Sequence, residues 1–198
     1  MPTWEIGKIG DIAPITVLLI ESDQSYARLI KEIISGISEK RGNIFELKQA
    51  ESMEEGIVLL KNDTIDVVLL ELQLPDSEGL FTFLKVHHAE PDVPVVVLSS
   101  LEDDETAVLA VKEGAQDYLY KAVVTPGVLV RSVRHAVERK RARDQYNRSM
   151  EEIEELLDKR TEQLVLTQQK LDRLEESQRR LSSELGKVLS EVRSMKKD

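Results

Sequence analysis

Acidic side chains follow two apolar runs of the sequence, at the positions where predicted strands end. Glu71 comes directly after the run Val67–Leu70, and the triplet E-S-D at positions 21–23 follows the run Ile15–Ile20. Runs this short and this apolar are typical of parallel strands that are covered on both faces. The carboxyl ends of such strands meet at one edge of an open α/β sheet, where ligands bind. We therefore expect these acids to lie at a candidate site.

The elements that position these acids alternate along the first two thirds of the chain. The five strand candidates are Ile15–Ile20, Ile44–Ala50, Val67–Leu70, Val93–Leu98 and Tyr118–Tyr120. Ser99 follows the fourth of these runs and Lys121 follows the fifth, so both side chains also end a strand. Helical patterns separate the strands, and the alternation predicts an α/β fold with a doubly wound, five-stranded parallel sheet.

Several residues mark where the helices of this region begin or end. A capping box beginning at Ser52 opens the second helix. Gly36 is a candidate stop for the first helix, and Gly114 suits the position just after the fourth. Thr125 followed by Pro126 predicts the start of a last helix, because proline is favoured at the first helical position.

A heptad pattern fills the C-terminal third of the chain. One seam consists of Met150, Leu157, Leu164, Leu171, Gln178, Leu185 and Val192, and the other of Tyr146, Ile153, Arg160, Thr167, Leu174, Leu181, Val188 and Met195. Twelve of these fifteen positions are apolar, which is typical of a coiled coil of about 75 Å. Because such a helix is unstable alone, we expect a homodimer. Fusion to a domain helix favours a parallel pair, although the pattern leaves strand number and orientation open.

Composition excludes several classes of function. The 198 residues carry a net charge of −10, made up of −13 over residues 1–126 and +3 over residues 127–198. An acidic domain argues against nucleic acid as a partner. The chain has no cysteine, no signal-peptide pattern and no apolar run near 18 residues, so we expect a cytoplasmic protein that does not enter a membrane.

Residues of roughly 15–140 resemble the receiver domain of two-component response regulators, which has a flavodoxin-like fold. The resemblance rests on the triplet at 21–23 and on the motifs LLELQLPDSEGL, VVVLSS and GAQDYLYK. In that family an aspartate accepts a phosphoryl group from a histidine kinase, two acids help to hold Mg²⁺, and a hydroxyl and a lysine contact the phosphoryl oxygens. The implied equivalents are Glu71 for the acceptor, Glu21 and Ser22 for the acid pair, Ser99 for the hydroxyl, Lys121 for the lysine and Tyr118 for the family's switch aromatic.

Two of these positions depart from the family pattern. Glu71 is one methylene longer than aspartate, and Ser22 has a hydroxyl where a carboxylate is usual. Phosphoryl transfer depends on positioning and charge neutralisation, and Mg²⁺ needs near-ideal oxygen ligation. We therefore expect no enzyme activity, no cofactor, and at best a weak Mg²⁺ site formed by Glu21, Asp23 and Glu71. Glu71 is instead expected to pair with Lys121.

The sequence thus predicts a tail at residues 1–13, a receiver-like domain at 14–126, and a stalk at 127–198 that continues the domain's last helix. The predicted function is a non-catalytic pseudo-receiver that dimerises through the stalk and binds a signalling protein, either a histidine kinase or an effector. The pair of Glu71 and Lys121 either fixes an activated-like state or is a relic. The alternative is a phosphorylatable response regulator with an unusual acceptor. The basic run Arg139–Arg143 is expected to be a solvated linker face.

Overall fold

The computed structural model describes residues 14–41, 44–100 and 103–195. The predicted tail at residues 1–13 lies outside these ranges.

A five-stranded parallel sheet forms the centre of the domain. Its strands are β1 (Ile15–Ile20), β2 (Phe45–Ala50), β3 (Val67–Glu71), β6 (Val95–Ser99) and β7 (Asp117–Tyr120). They lie in the order β2-β1-β3-β6-β7, and every neighbouring pair is parallel. All five residues of β3 and all five of β6 are buried, as expected for strands with helices on both faces. The predicted fold class is confirmed.

Helices cover the two faces of the sheet unequally. They are α1 (Gln24–Arg41), α2 (Met53–Asn62), α3 (Leu80–Ala89), α4 (Asp104–Lys112) and α5 (Pro126–Met195). Ile30 of α1 and Leu129 of α5 belong to the core on one face, together with Leu69 of β3. Phe83 of α3 belongs to the core on the other face, which α2 and α4 share. Successive residues of each strand therefore point alternately into two apolar layers.

A short hairpin follows β3. It pairs β4 (Gln73–Leu74) with β5 (Ser77–Glu78) in an antiparallel arrangement. Asp76 lies in its turn, and the two carboxylate oxygens accept hydrogen bonds from the backbone N–H groups of Met53 and Glu54, each at 2.9 Å. The hairpin thus caps the first turn of α2 from outside that helix.

Most of the predicted helix ends are correct, but Gly36 is not a stop. The second helix begins after its N-cap Ser52, and Thr125 Oγ1 accepts a hydrogen bond from the N–H of Val128 at 3.3 Å. Gly114 has the positive φ (111°) that favours glycine after a helix. In contrast, α1 continues through Gly36 to Arg41. Glycine weakens a helix by only about 1 kcal/mol, and Ser38 beyond it anchors α1 through hydrogen bonds with Phe45.

Contacts divide the chain into a first unit that ends at Arg143 and a second that begins at Asp144. The second unit is helical from Asp144 to Met195, and every side chain from Gln145 through Leu189 is exposed. The seam residues among them are therefore exposed in the single chain: Leu164 retains 70% of its surface, and Leu174 retains 67%. The coiled-coil pairing remains a prediction.

Candidate functional site

The ammonium group of Lys121 bridges two carboxylates at the carboxyl edge of the sheet. Glu21 directly follows β1, and Glu71 is the last residue of the adjacent strand β3, so the register brings the two acids side by side. Lys121 follows β7, and its side chain reaches across the end of β6 to contact both acids. The predicted pair of Glu71 and Lys121 is thus present, and Glu21 is a second acceptor for the same ammonium.

Every carboxylate oxygen of the two acids has a donor. Oε1 of Glu21 accepts the backbone N–H of Asp23 at 2.9 Å, and Oε1 of Glu71 accepts that of Gln73 at 2.8 Å. The remaining oxygen of each acid, Oε2, contacts Lys121. The Glu21 and Glu71 side chains are only 1% and 3% exposed, and that of Lys121 is 11% exposed. Because buried charges are costly unless paired, this three-residue cluster has to remain intact.

Tyr26 covers the cluster from the first turns of α1. Its ring centre lies 4.4 Å from Lys121 Nζ, which is a cation–π contact. Burial, and then the charges of Glu21 and Glu71, raise the pKa of Tyr26 to about 12. Its hydroxyl is buried and has no hydrogen-bond partner among the residues that the structure describes. Tyr26 therefore stays neutral and contributes its ring to the cluster.

The predicted acidic cluster is not arranged as a set of metal ligands. Asp23 is exposed, and its Oδ1 accepts the N–H groups of Ser25 at 2.8 Å and Tyr26 at 3.3 Å, which caps the N-terminus of α1. Ser22 is half-buried and has no carboxylate to offer. Within the described ranges, no group of three or more acidic or histidine side chains is placed to hold a metal ion. Of the three acids predicted to form a weak Mg²⁺ site, Glu21 and Glu71 thus lie together at Lys121, and Asp23 serves as a helix cap.

The other predicted site residues lie at the same edge but in different environments. Ser99 is buried at the end of β6, opposite Tyr120 in the register. Ser100, the next residue, places its Oγ 3.5 Å from Oε2 of Glu71. Tyr118 is half-buried and packs against the core that α2, α3 and α4 share.

Sequence reasoning overlooked Tyr26 and Ser100. Ser100 is next to the predicted site residue Ser99. Which of the two hydroxyls approaches Glu71 depends on the backbone direction at the end of β6. The ring of Tyr26 belongs to the apolar face of α1, which gives it the pattern of a core residue in the sequence. A signal was present, since a residue in the first turn of α1 starts from the same sheet edge as Glu21.

Two arginines of the basic run contact residues of the receiver-like domain that are distant in sequence. Arg139 donates to the side chain of Gln116 at 2.9 Å and to its carbonyl at 2.8 Å, and Arg143 lies 3.9 Å from the carboxylate of Asp92. His87 stacks on Phe83 with ring centres 5.6 Å apart. In the part of the chain that the structure describes, no helix combines the length and apolar character needed to cross a membrane.

A parallel sheet in this order, with an acid at the end of its third strand and a lysine after its last, defines a receiver-type domain. The chain belongs to the response regulator receiver domain family, whose model matches residues 17–134.

Individual relatives match only part of their own length. The chain is 30% identical over 105 residues to the KDP operon transcriptional regulatory protein KdpE of Escherichia coli, which is 53% of this chain and 44% of KdpE. It is 26% identical over 107 residues to the transcriptional regulatory protein ZraR of the same species, covering 54% and 23%. The chain thus spans less than half the length of these curated relatives.

Solved structures agree with the fold. A response regulator receiver domain protein from Clostridium thermocellum is similar with a TM-score of 0.56 and 29% identity, covering 65% of this chain and 98% of that one. The receiver domain of a Luxo repressor protein from Vibrio parahaemolyticus gives a TM-score of 0.59 at 22% identity, covering 68% and 98%. In both cases the match covers nearly the whole of the solved domain and about two thirds of this chain.

Proposed function

We propose that this protein is a non-catalytic pseudo-receiver. It dimerises through the part of α5 that follows Arg143, and it acts by protein–protein contact without phosphorylation. The observation that carries the proposal is the bridge from Lys121 to both Glu21 and Glu71. In a phosphorylatable receiver, the acids at these positions help to hold Mg²⁺ and accept the phosphoryl group. Here a single internal ammonium forms ion pairs with both of them.

Three features support a permanent rather than a transient bridge. Each carboxylate oxygen already has a donor, so a metal ion would have to displace Lys121 or a backbone N–H. The Tyr26 ring lies over the ammonium and limits access from the solvent. Glutamate at position 71 also projects one methylene further than aspartate, and errors of about 1 Å can cost roughly a hundredfold in rate.

The proposal extends to the partners of this protein. Receiver domains interact with kinases and effectors, and we propose that this one presents a fixed surface to such a signalling protein. The exposed apolar positions of α5 beyond Asp144 supply the dimer contact. We also propose that Mg²⁺ has no role, since Asp23 caps a helix and Ser22 lacks a carboxylate.

The groups at this sheet edge also support a second function, that of a phosphorylatable response regulator. Glu71, Lys121 and Ser100 are an acid, an amine and a hydroxyl gathered at one sheet edge, and these are the groups that a phosphorylatable receiver uses. Under this alternative, Lys121 would release Glu71 when a phosphodonor and Mg²⁺ arrive. The protein would then be a response regulator whose acceptor is a glutamate.

Treating the full chain with beryllofluoride and Mg²⁺ distinguishes the two functions. We expect no bound-fluoride resonance in the ¹⁹F NMR spectrum and no change in the resonances of Tyr118. The matched control is the double variant Glu71→Asp, Ser22→Asp under identical conditions. A stoichiometric beryllofluoride complex of the unmodified protein would overturn the pseudo-receiver and establish the second function.

A further inference from the structure

We infer that two copies of this chain pair antiparallel along residues 146–195, with Arg160 of each copy facing Gln178 of the other. The inference rests on the dimerisation in the proposed function and adds the orientation and register of the pair. It starts from the seam of α5, whose apolar side chains from Tyr146 through Val188 are exposed in the single chain.

The largest polar residues of the seam are placed symmetrically about one point. Arg160 lies nine residues before Gln169, and Gln178 lies nine residues after it. They belong to different seams, Gln178 to the first and Arg160 to the second. In an antiparallel pair centred on Gln169, residues of one seam meet residues of the other, so each Arg160 meets a Gln178. A guanidinium can donate to the amide oxygen of glutamine, which leaves no like charges in contact.

The same register matches the apolar positions. Leu157 then faces Leu181, Leu164 faces Leu174, and Ile153 faces Leu185. Shifting the register by one heptad in either direction places Arg160 against Leu171 or Leu185 instead. Thr167 faces Leu171 in this register, and apart from Arg160 with Gln178 the other seam pairs are apolar on both sides. Of the three registers, only the centred one joins Arg160 to Gln178.

A parallel pair makes a worse contact at the same position. Arg160 would face Arg160 of the partner within the seam, and the neighbouring flanking residues Leu156, Thr161 and Gln163 supply no acid to neutralise the two charges. Like charges within a partly desolvated seam are costly.

The charged residues beside the seam favour a parallel pair, but their contribution is smaller. Lys170 would face Glu175 in a parallel pair, whereas the centred antiparallel register brings the two copies of Lys170 near each other. These side chains are exposed, and exposed charges are screened by water and salt. The contacts of Arg160 within the seam therefore decide the orientation.

Single-cysteine labelling tests the orientation on the full chain, which has no cysteine of its own. Nitroxide labels are placed at Ser183→Cys and, as the matched control, at Gln169→Cys, because both positions face away from the seam. In the antiparallel pair the Ser183 labels are offset by about 42 Å along the axis, while the Gln169 labels lie at the same height. Electron–electron dipolar distances should therefore be much longer for Ser183→Cys than for Gln169→Cys. Equal distances at the two positions would overturn the antiparallel pair.

Charge substitution at Gln178 gives an independent test. Gln178→Glu should lower the dimer dissociation constant about tenfold, because a charge-assisted pair with Arg160 forms twice per dimer, and Gln178→Lys should raise it. In a parallel pair both variants place like charges opposite each other and both raise the dissociation constant. Analytical ultracentrifugation separates the possible failures. A monomer at tens of micromolar would overturn the proposed dimer as well, whereas a stable dimer that both variants weaken would overturn the antiparallel register alone.

Discussion

The ammonium nitrogen of Lys121 lies 4.4 Å from the centre of the Tyr26 ring, so a helix residue covers the cation that joins two strand ends. The contact is attractive because the ring face is electron-rich. The hydroxyl of the same ring is buried and has no partner within the described ranges, and a buried unpaired hydroxyl costs about 1–3 kcal/mol. Tyr26 therefore combines a favourable ring with an unfavourable hydroxyl.

Removing only that hydroxyl should stabilise the protein. We expect Tyr26→Phe to raise the free energy of unfolding by about 1 kcal/mol, since the ring stays over Lys121 and no buried oxygen is left without a donor. Tyr26→Leu, which removes the ring, should lower it. Urea unfolding at pH 7 measures both variants. A destabilised Tyr26→Phe would show that the hydroxyl has a partner, such as an ordered water.

The same substitution has a predictable dependence on pH. Tyr26 in the folded protein keeps its proton up to about pH 12, whereas in the unfolded chain it ionises near pH 10. Between these values the unfolded state binds fewer protons, so this group lowers the stability of the wild type as pH rises. The stability advantage of Tyr26→Phe should therefore widen from pH 10 towards pH 12. Unfolding curves of the two proteins at pH 9 and pH 11 give the comparison.

Removing Lys121 should be far more damaging than removing an exposed lysine. Lys121→Met leaves Glu21 and Glu71 buried without their cation, and we expect a loss of about 3 kcal/mol at pH 7. Lys48→Met is the matched control, because Lys48 makes a single ion pair with Asp63 at 2.7 Å in a partly exposed position. That pair should be worth about 0.5 kcal/mol. Similar losses for the two variants would mean that the buried cluster is not permanently formed.

Metal binding should return when the two unusual residues are reversed. Glu71→Asp shortens the acceptor and withdraws it from Lys121, and Ser22→Asp adds a carboxylate beside Glu21. We expect the double variant to bind Mg²⁺ at millimolar concentration, while Glu71→Asp alone binds it more weakly. Chemical-shift changes of Tyr118 during a Mg²⁺ titration provide the measurement. Identical spectra for the double variant with and without Mg²⁺ would contradict this prediction.

The helix cap that Asp76 provides should make part of the protein's stability depend on pH. Partial burial raises the pKa of Asp76, but the N–H groups of Met53 and Glu54 lower it, and the net direction is downward from 3.8. Because the folded pKa is below the unfolded one, the contribution is present at neutral pH and is lost as pH falls through the folded pKa. Asp76→Ala should cost about 1 kcal/mol at pH 7. The difference from the wild type should shrink below pH 4, as chemical unfolding at both pH values would reveal.

The sheet was predictable because each of its main strands has a recognisable local sequence pattern. The runs that became β1, β3 and β6 are mostly apolar, and each is followed by a turn residue or a polar side chain. Gly36 was misread because glycine is only weakly unfavourable in a helix, and the packing of Ser38 against Phe45 lies outside any local pattern. The β4–β5 hairpin was missed because two-residue strands leave no periodicity to detect.

The site was predictable only as far as the family motif reached. That motif located Glu71 and Lys121, and their pairing followed from opposite charges at one sheet edge. The bridge to Glu21 depends on how far the Lys121 side chain reaches across β6, which no spacing in the sequence encodes. Asp23 was counted among possible metal ligands, but its position just before Gln24 makes it a helix cap, and the two uses of one carboxylate compete.

Replacing Arg160 should strengthen the pairing of α5. Arginine in a heptad seam loses part of its hydration on pairing, which costs stability even where Gln178 of the other copy accepts a hydrogen bond. In the single chain Arg160 is exposed, and its guanidinium lies 3.5 Å from Gln163. Arg160→Leu replaces it with a side chain that is buried on pairing, which should stabilise the dimer by about 1.5 kcal/mol per chain. The melting temperature of the helix, followed by circular dichroism of the full chain, should rise. Because a polar seam residue also restricts register and oligomer state, the variant should show additional species in sedimentation equilibrium.

Glu162→Leu is the matched control, since position 162 faces away from the seam and its substitution should leave the melting temperature unchanged. A lower melting temperature for Arg160→Leu, or an equal rise for both variants, would show that Arg160 does not lie in the interface between two chains.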